Sequence, residues 1–221
     1  MYMTELRKRI SEESIIETSW KLLDLEGIDN FSMRKLSTLL NIKAPSIYWH
    51  FKSKEDIFRR LTDEVIKKIL DKVECNLNWE KQIFNYGMVI SRVLRKYPYS
   101  AHLLLQATPV DLNFLKLHNE LLKIIDNLNF SDEEKFSSVI TFLNYIISFE
   151  IDYLAQKKIQ ENMVEDKKYN INLDNFDETE PVNRLFKNKT IRLLGSDTMF
   201  IWGLNMFIQG LSSLNQKNQT F

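Results

Sequence analysis

The side chains that could do chemistry together lie in one stretch, SMRKLSTLLNIKAPSIYWHFKSK, residues 32–54. From Phe31 to Lys54 there are five Lys or Arg residues and no Asp or Glu. Such a strip suits phosphate contact. Three histidines, His50, His102 and His118, accompany no HExxH, nucleophile elbow, phosphate loop or dinucleotide glycine fingerprint. No catalytic residue and no cofactor are therefore expected, and an enzyme is the weakest of the competing readings. The single cysteine, Cys75, excludes an internal disulfide and a cysteine zinc site, and no metal is expected.

The elements that must hold this strip can be read locally. Ser32 can cap a short helix that buries Met33, Leu36, Leu39 and Leu40. Asn41 tolerates the left-handed backbone of a tight turn, and Ile42 can plug the angle that follows. Pro45 suits the first turn of a second short helix, where only Ile47 is a clear aliphatic anchor. Lys43, Ala44, Ser46, Tyr48, Trp49 and His50 are then available to a partner. Ser53 caps a longer helix, with Asp56 completing a capping-box-like arrangement and Lys54 placed to reach a phosphate. SIYWHF alone would also suit an aromatic core segment. The proline before it, the alternating polar residues and the flanking lysines favour a helix-turn-helix that docks on double-stranded DNA.

The chain has 221 residues, with only 5 Gly and 4 Pro, which favours long helices and an all-α fold. Lys+Arg 30 and Asp+Glu 30 cancel, so nonspecific architectural binding to DNA, which needs a large positive excess, is the weaker alternative. Residues 1–54 carry nine basic and seven acidic groups, most of the acids in the first helix. Arg7, Lys8 and Arg9 are either an arm for the minor groove or a solvated tail. MYMTELRKRI is not a signal peptide, and no uninterrupted apolar run is long enough to span a membrane, so a cytoplasmic protein without membrane contact is expected.

Periodicity predicts a first helix over 11–26, closed by Gly27, with Trp20 packed on the helical triangle. A linking helix follows over 53–77, carrying Ile57, Phe58, Leu61, Val65, Ile69 and Val73 along one side. Further helices are predicted over 79–97, 110–127, 131–160 and 197–215, with a short one over 181–189 and a polar loop over 161–180. The domain division is a DNA-binding domain over 1–54 and a helical effector-binding and dimerisation domain over 55–221. Gly203 and Gly210 lie seven apart in the last helix, beside Phe207, Leu211 and Leu214. Each costs about 1 kcal/mol against alanine, so close packing must offset them, within the chain or between two chains.

APSIYWHFKSKEDIF, with GIDNFSMRKLSTLLNIK before it, resembles the DNA-binding domain of the tetracycline-repressor (TetR) family of bacterial transcription regulators. Trp79, Thr108-Pro109 and MFIWGLNMFIQGLSSL resemble the C-terminal domain of its tetracycline-repressor subgroup. The resemblance implies a repressor, dimeric through the 131–160 and last helices (Gly203, Phe207, Gly210, Leu214), on a palindromic operator and controlled by a small-molecule effector. It implies Arg34 on a guanine edge, with Lys43, Ala44, Pro45, Ser46 and Tyr48 lining the major groove. Ser32, Trp49, His50 and Lys54 would touch phosphate. Ala44 stands where the subgroup has glutamine, which implies a different operator. Tyr86, Ile90, Leu104, Thr108, Leu117 and Glu120 would surround the effector. The subgroup's histidine and threonine for the metal-drug complex fall on Leu104 and Ala107. His102 is about 200° away around a helix, at roughly 100° per residue, so drug-magnesium recognition is not implied. Glu120 or Asp152 could serve a cationic or hydroxylated ligand.

Overall fold

The computed structural model describes residues 10–72, 78–107, 111–162, 176–177 and 179–218, and among these there is no strand. Helix α1 (Glu12–Glu26) starts where Ser11 and Ser14 exchange side-chain bonds to each other's backbone N–H, at 3.2 and 3.3 Å, a capping box built from two hydroxyls. It ends at Gly27, whose φ of 79° admits no ordinary side chain. Then come α2 (Met33–Leu39), α3 (Ala44–Tyr48) and α4 (Lys54–Leu70). Ile15, Leu23, Leu36, Ile47, Ile57 and Leu61 close a first core with no exposed surface.

The second body comprises α5 (Trp79–Lys96), α6 (Ser100–Leu105), α7 (Leu112–Ile125), α8 (Asp132–Asn162), α9 (Pro181–Lys187), a 3-10 turn (Thr190–Leu193) and α10 (Asp197–Asn218). Its core runs through Ile69, Ile90, Leu121, Phe142, Ile146 and Phe200. By length and composition one 18-residue window of α8 is apolar enough to cross a membrane, and here the helix packs on α5, α6 and α7. Helix α4 belongs to both bodies: Ile57 and Leu61 enter the first core, and Val65, Ile66 and Ile69 the second.

Four expectations change. The stretch between Pro98 and Pro109, unassigned by periodicity, forms α6, and its Leu103 inserts into the first core. Leu39 is 45% exposed, because the two-turn α2 buries only its Leu36–Ser37 edge. Trp20 reaches beyond the helical triangle: it touches both cores, its ring 5.0 Å from that of Tyr97. Helix α4 closes at Asp71, and Val73, Cys75, Arg7, Lys8, Arg9, Thr108 and most of the 161–180 loop lie outside the described residues.

Candidate nucleic-acid interface

The reading head is held by local chemistry at each joint. Ser32 Oγ accepts from the Lys35 N–H at 3.2 Å, which starts α2. Asn41 closes it in the left-handed region, φ 53°. The N–H of Asn41 bonds to Thr38 O and that of Ile42 to Ser37 O, each at 3.0 Å. These two bonds make a Schellman motif with asparagine where glycine usually stands. Pro45 lies in the first turn of α3, and Ile47 alone of its five residues is buried. Ser53 Oγ accepts from the Asp56 N–H at 3.2 Å, while Asp56 Oδ2 reaches back to the Lys52 N–H at 3.1 Å.

This frame leaves one face outward. Trp49 is 88% and Tyr48 50% exposed, beside exposed Lys43, Pro45 and His50 and half-buried Ala44 and Ser46. Among the described residues no carboxylate lies at ion-pair distance from Arg34, Lys43 or Lys52, all exposed. The other two basic residues of the strip are engaged. Lys35 pairs with Glu26 at 2.6 Å. Lys54 Nζ donates to Ile28 O at 3.3 Å and sits over the Phe58 ring, 4.9 Å from its centre. An ammonium has three donors, so Lys54 keeps two for a phosphate. Ser32 likewise keeps its hydroxyl proton.

The second body gathers most of the residues expected around an effector, but as packed core. Tyr86, Ile90, Leu104 and Leu117 are all at most 4% exposed. Glu120 stands apart on the α7 surface, paired with Lys123 at 2.8 Å. None of them lines the cavities of about 630, 840 and 330 Å³ found elsewhere. Asp152 is exposed. His102 Nδ1 is buried without a described partner, and burial holds its pKa below the ordinary imidazole value.

The two glycines of α10 separate. A Cβ on Gly203 would stand 2.2 Å from Tyr145 Oη, so this glycine serves a contact within the chain. A Cβ on Gly210 meets nothing within 4 Å. Phe207 packs inward, its ring 5.5 Å from Phe142. Trp202, Met206 and Leu214, with Gly210, form an outward stripe, 52 to 69% exposed at the three large residues.

Sequence reading missed one buried charge cluster. Glu150, 3% exposed, accepts from Ser91 Oγ at 2.6 Å and from Arg95 Nε at 2.8 Å. Arg95 also pairs with Asp197 at 2.5 Å. Burial pulls the Arg95 guanidinium down, but its bonds to Glu150 and Asp197 outweigh this and hold its pKa above the ordinary value. The available signal was the pair of carboxylates, Glu150 and Asp152, inside the apolar run FLNYIISFEIDYL, of which Glu150 is the one that burial reaches.

Comparison with known proteins agrees with this geometry. The family model for bacterial regulatory proteins of the tetR family matches residues 15–61, and that for the tetracycline repressor-like C-terminal domain matches residues 75–214. An HTH-type transcriptional regulator of Saccharopolyspora erythraea is 32% identical over 94 residues, which make up 42% of this chain and only 40% of that protein's length. The class E tetracycline repressor protein of Escherichia coli is 23% identical over 215 residues, 96% of each chain. The crystal structure of TetR from Acinetobacter baumannii AYE superposes with a TM-score of 0.70 at 18% identity, covering 93% of this chain and 98% of that one. With both domain models matched in order along one chain, this protein belongs to the tetR family of bacterial regulatory proteins and carries the tetracycline repressor-like C-terminal domain.

Proposed function

We propose that the chain is a cytoplasmic, homodimeric transcription repressor that holds a palindromic operator and releases it when a small-molecule effector binds. The carrying observation is the outward face of α3, where Lys43, Tyr48, Trp49 and His50 are exposed while Ile47 alone fixes the helix. Arg34, Lys43, Ala44, Pro45, Ser46 and Tyr48 are the proposed base-reading set, and Ser32, Trp49, His50 and Lys54 the phosphate set. The relatives named as a transcriptional regulator and a tetracycline repressor support DNA and a small molecule as partners. No catalytic role is assigned.

The outward stripe of Trp202, Met206, Gly210 and Leu214 on α10, together with exposed Phe136 on α8, supports dimerisation through these helices. Two heads related by a twofold axis require half-sites about one helical turn of DNA apart. The effector pocket is proposed at Tyr86, Ile90, Leu104, Thr108, Leu117 and Glu120; Tyr86, Ile90, Leu104 and Leu117 are packed core in this state, so ligand entry must open it.

The test is a fluorescence-anisotropy titration with DNA from upstream of the protein's own gene against a scrambled duplex at near-physiological salt. Tight binding to the native fragment alone, at two chains per duplex, is the expected result. Equal and strongly salt-sensitive binding to both would favour an architectural role instead.

A further inference from the structure

Between the end of α1, the α5–α6 corner and the last turns of α8 lies a pocket of about 330 Å³. It shares no lining residue with the effector pocket proposed above. Leu94, Ala101 and Leu154 give it an apolar side, and the Tyr99 and Tyr153 side chains stand among its walls. Its ionised lining comprises three cations, Arg95, Lys157 and Lys158, against two carboxylates, Asp24 and Glu150.

The carboxylates count for less than their number. Both oxygens of Glu150 are already engaged, by Ser91 Oγ and Arg95 Nε. Arg95 lies over the Tyr153 ring, 4.2 Å from its centre. It spends Nε on Glu150 and Nη1 on Asp197, yet its Nη2 is buried and bonds to no described residue. Lys158 donates to Tyr99 Oη, which leaves two of its N–H groups. Lys158 thus offers donors to the pocket directly, and Arg95 Nη2, which has no surface open in this state, becomes a further donor when a ligand displaces its cover. A buried charged donor gains most from an ionised acceptor, and a planar guanidinium suits carboxylate and phosphate oxygens.

We propose that this pocket binds a small oxyanion, the carboxylate or phosphate group of a compact organic molecule, through Arg95 and Lys158 at the junction of the two bodies. Its regulatory use rests on the operator-binding reading above. Tyr99 is the link: it sits in the left-handed region at φ 64°, and its Oη lies 2.8 Å from where a Cβ on Gly27 would stand. Gly27 closes α1. A molecule bound to Lys158 is therefore linked through Tyr99 to the end of α1, and it favours the present placement of the reading head. By linkage, such a ligand changes operator affinity by the same factor by which operator changes ligand affinity.

The experiment is isothermal calorimetry on the full-length protein with benzoate and phenyl phosphate as the two oxyanion probes and benzylamine as the charge-reversed control. The expected result is saturable binding of at least one oxyanion, one per chain, with Kd of about 1 mM or tighter for a fragment of this size, and none of the amine. The stronger arm assigns carboxylate or phosphate ester. Lys158→Met should weaken binding about 10- to 100-fold, the worth of a hydrogen bond to a charged group. Arg95→Lys, which keeps the charge and removes Nη2, should act in the same direction, with thermal melts reporting whether each variant folds. No saturable oxyanion binding, equal binding of benzylamine, or unchanged affinity in a folded Lys158→Met protein would overturn the site. Operator anisotropy with and without the better probe is a separate arm. Unchanged operator affinity alongside saturable calorimetry would remove the regulatory use, and absent operator binding would sink the repressor reading while leaving the calorimetric result standing.

Discussion

Substituting Gly203 and Gly210 by alanine, one at a time, should move stability in opposite directions. In a helix interior each replacement gains about 1 kcal/mol of propensity. At Gly203 the new Cβ would stand 2.2 Å from Tyr145 Oη and 2.4 Å from Cζ. Tyr145 has little room to yield, since its hydroxyl donates to Phe200 O at 2.8 Å and its ring stacks on Phe200 at 8° between planes. Displacing it costs the hydrogen bond, about 0.5–1.5 kcal/mol, and overpacking strain of about 1–3 kcal/mol. The net is a loss of roughly 1–3 kcal/mol, or a fall in Tm of about 3–10 °C for a chain of this size. Gly210 meets nothing within 4 Å, so its alanine keeps the gain, about 2–4 °C. A partner chain seated on Gly210 would cancel that gain, and melts followed by circular dichroism at two protein concentrations separate the cases. A Gly203→Ala protein melting at or above the parent temperature would refute the reasoning.

Three further outcomes follow from the same geometry. Asn41→Val should destabilise by roughly 1–2 kcal/mol in denaturant titrations, because a β-branched residue cannot sit comfortably at φ 53°, whereas Asn41→Gly should be neutral or better. Ile47→Ala should cost about 2–5 kcal/mol of stability, while Trp49→Ala, at 88% exposure, should change stability by about 0.5 kcal/mol or less and lower operator affinity; equal melting temperatures for the two variants would contradict this division. Burial holds the His102 pKa below its unfolded value of 6.5, so the unfolded chain binds more protons there. Stability should then rise as pH rises toward 6.5 and fall below it, and His102→Gln should flatten the His102 contribution to that slope in melts taken from pH 5 to 7.

The reading head was legible because its joints are made by single residues acting on their own backbone. Ser32, Asn41, Pro45 and Ser53 each fix a few dihedrals within four positions, and sequence proximity is all such chemistry needs. The second body is decided over long separations. A helix face that lines a cavity and one that fills a core carry the same apolar period, so nothing local separates Tyr86, Ile90 and Leu104 as ligand wall from the same residues as packing. Gly203 posed the same problem. Its spacing from Gly210 suggested one shared contact, but the partner of Gly203 is Tyr145, 58 positions earlier on α8. Glu150 and Arg95 meet across 55 positions, and only the pair makes the buried carboxylate tolerable.

How the two bodies communicate follows from where α4 puts its side chains. Ile57 and Leu61 have no exposure in one core, nor do Val65, Ile66 and Ile69 in the other, and they share a single unbroken helix. A helix of this length behaves as a rod, and close-packed cores resist sliding along it. Leu103 of α6 adds a second tie, since it leaves its own body to fill the core of the head. Rearranging α5, α6 and α7 around a ligand must therefore either carry α4 and the Ser53 cap with it or open a void beside Leu61 and Leu103. The void is the dearer alternative, at about 2–5 kcal/mol for each large aliphatic side chain left unpacked. An effector then needs no contact with α3 to misplace it, and the shift it produces is bounded by its difference in affinity for the two arrangements of the second core.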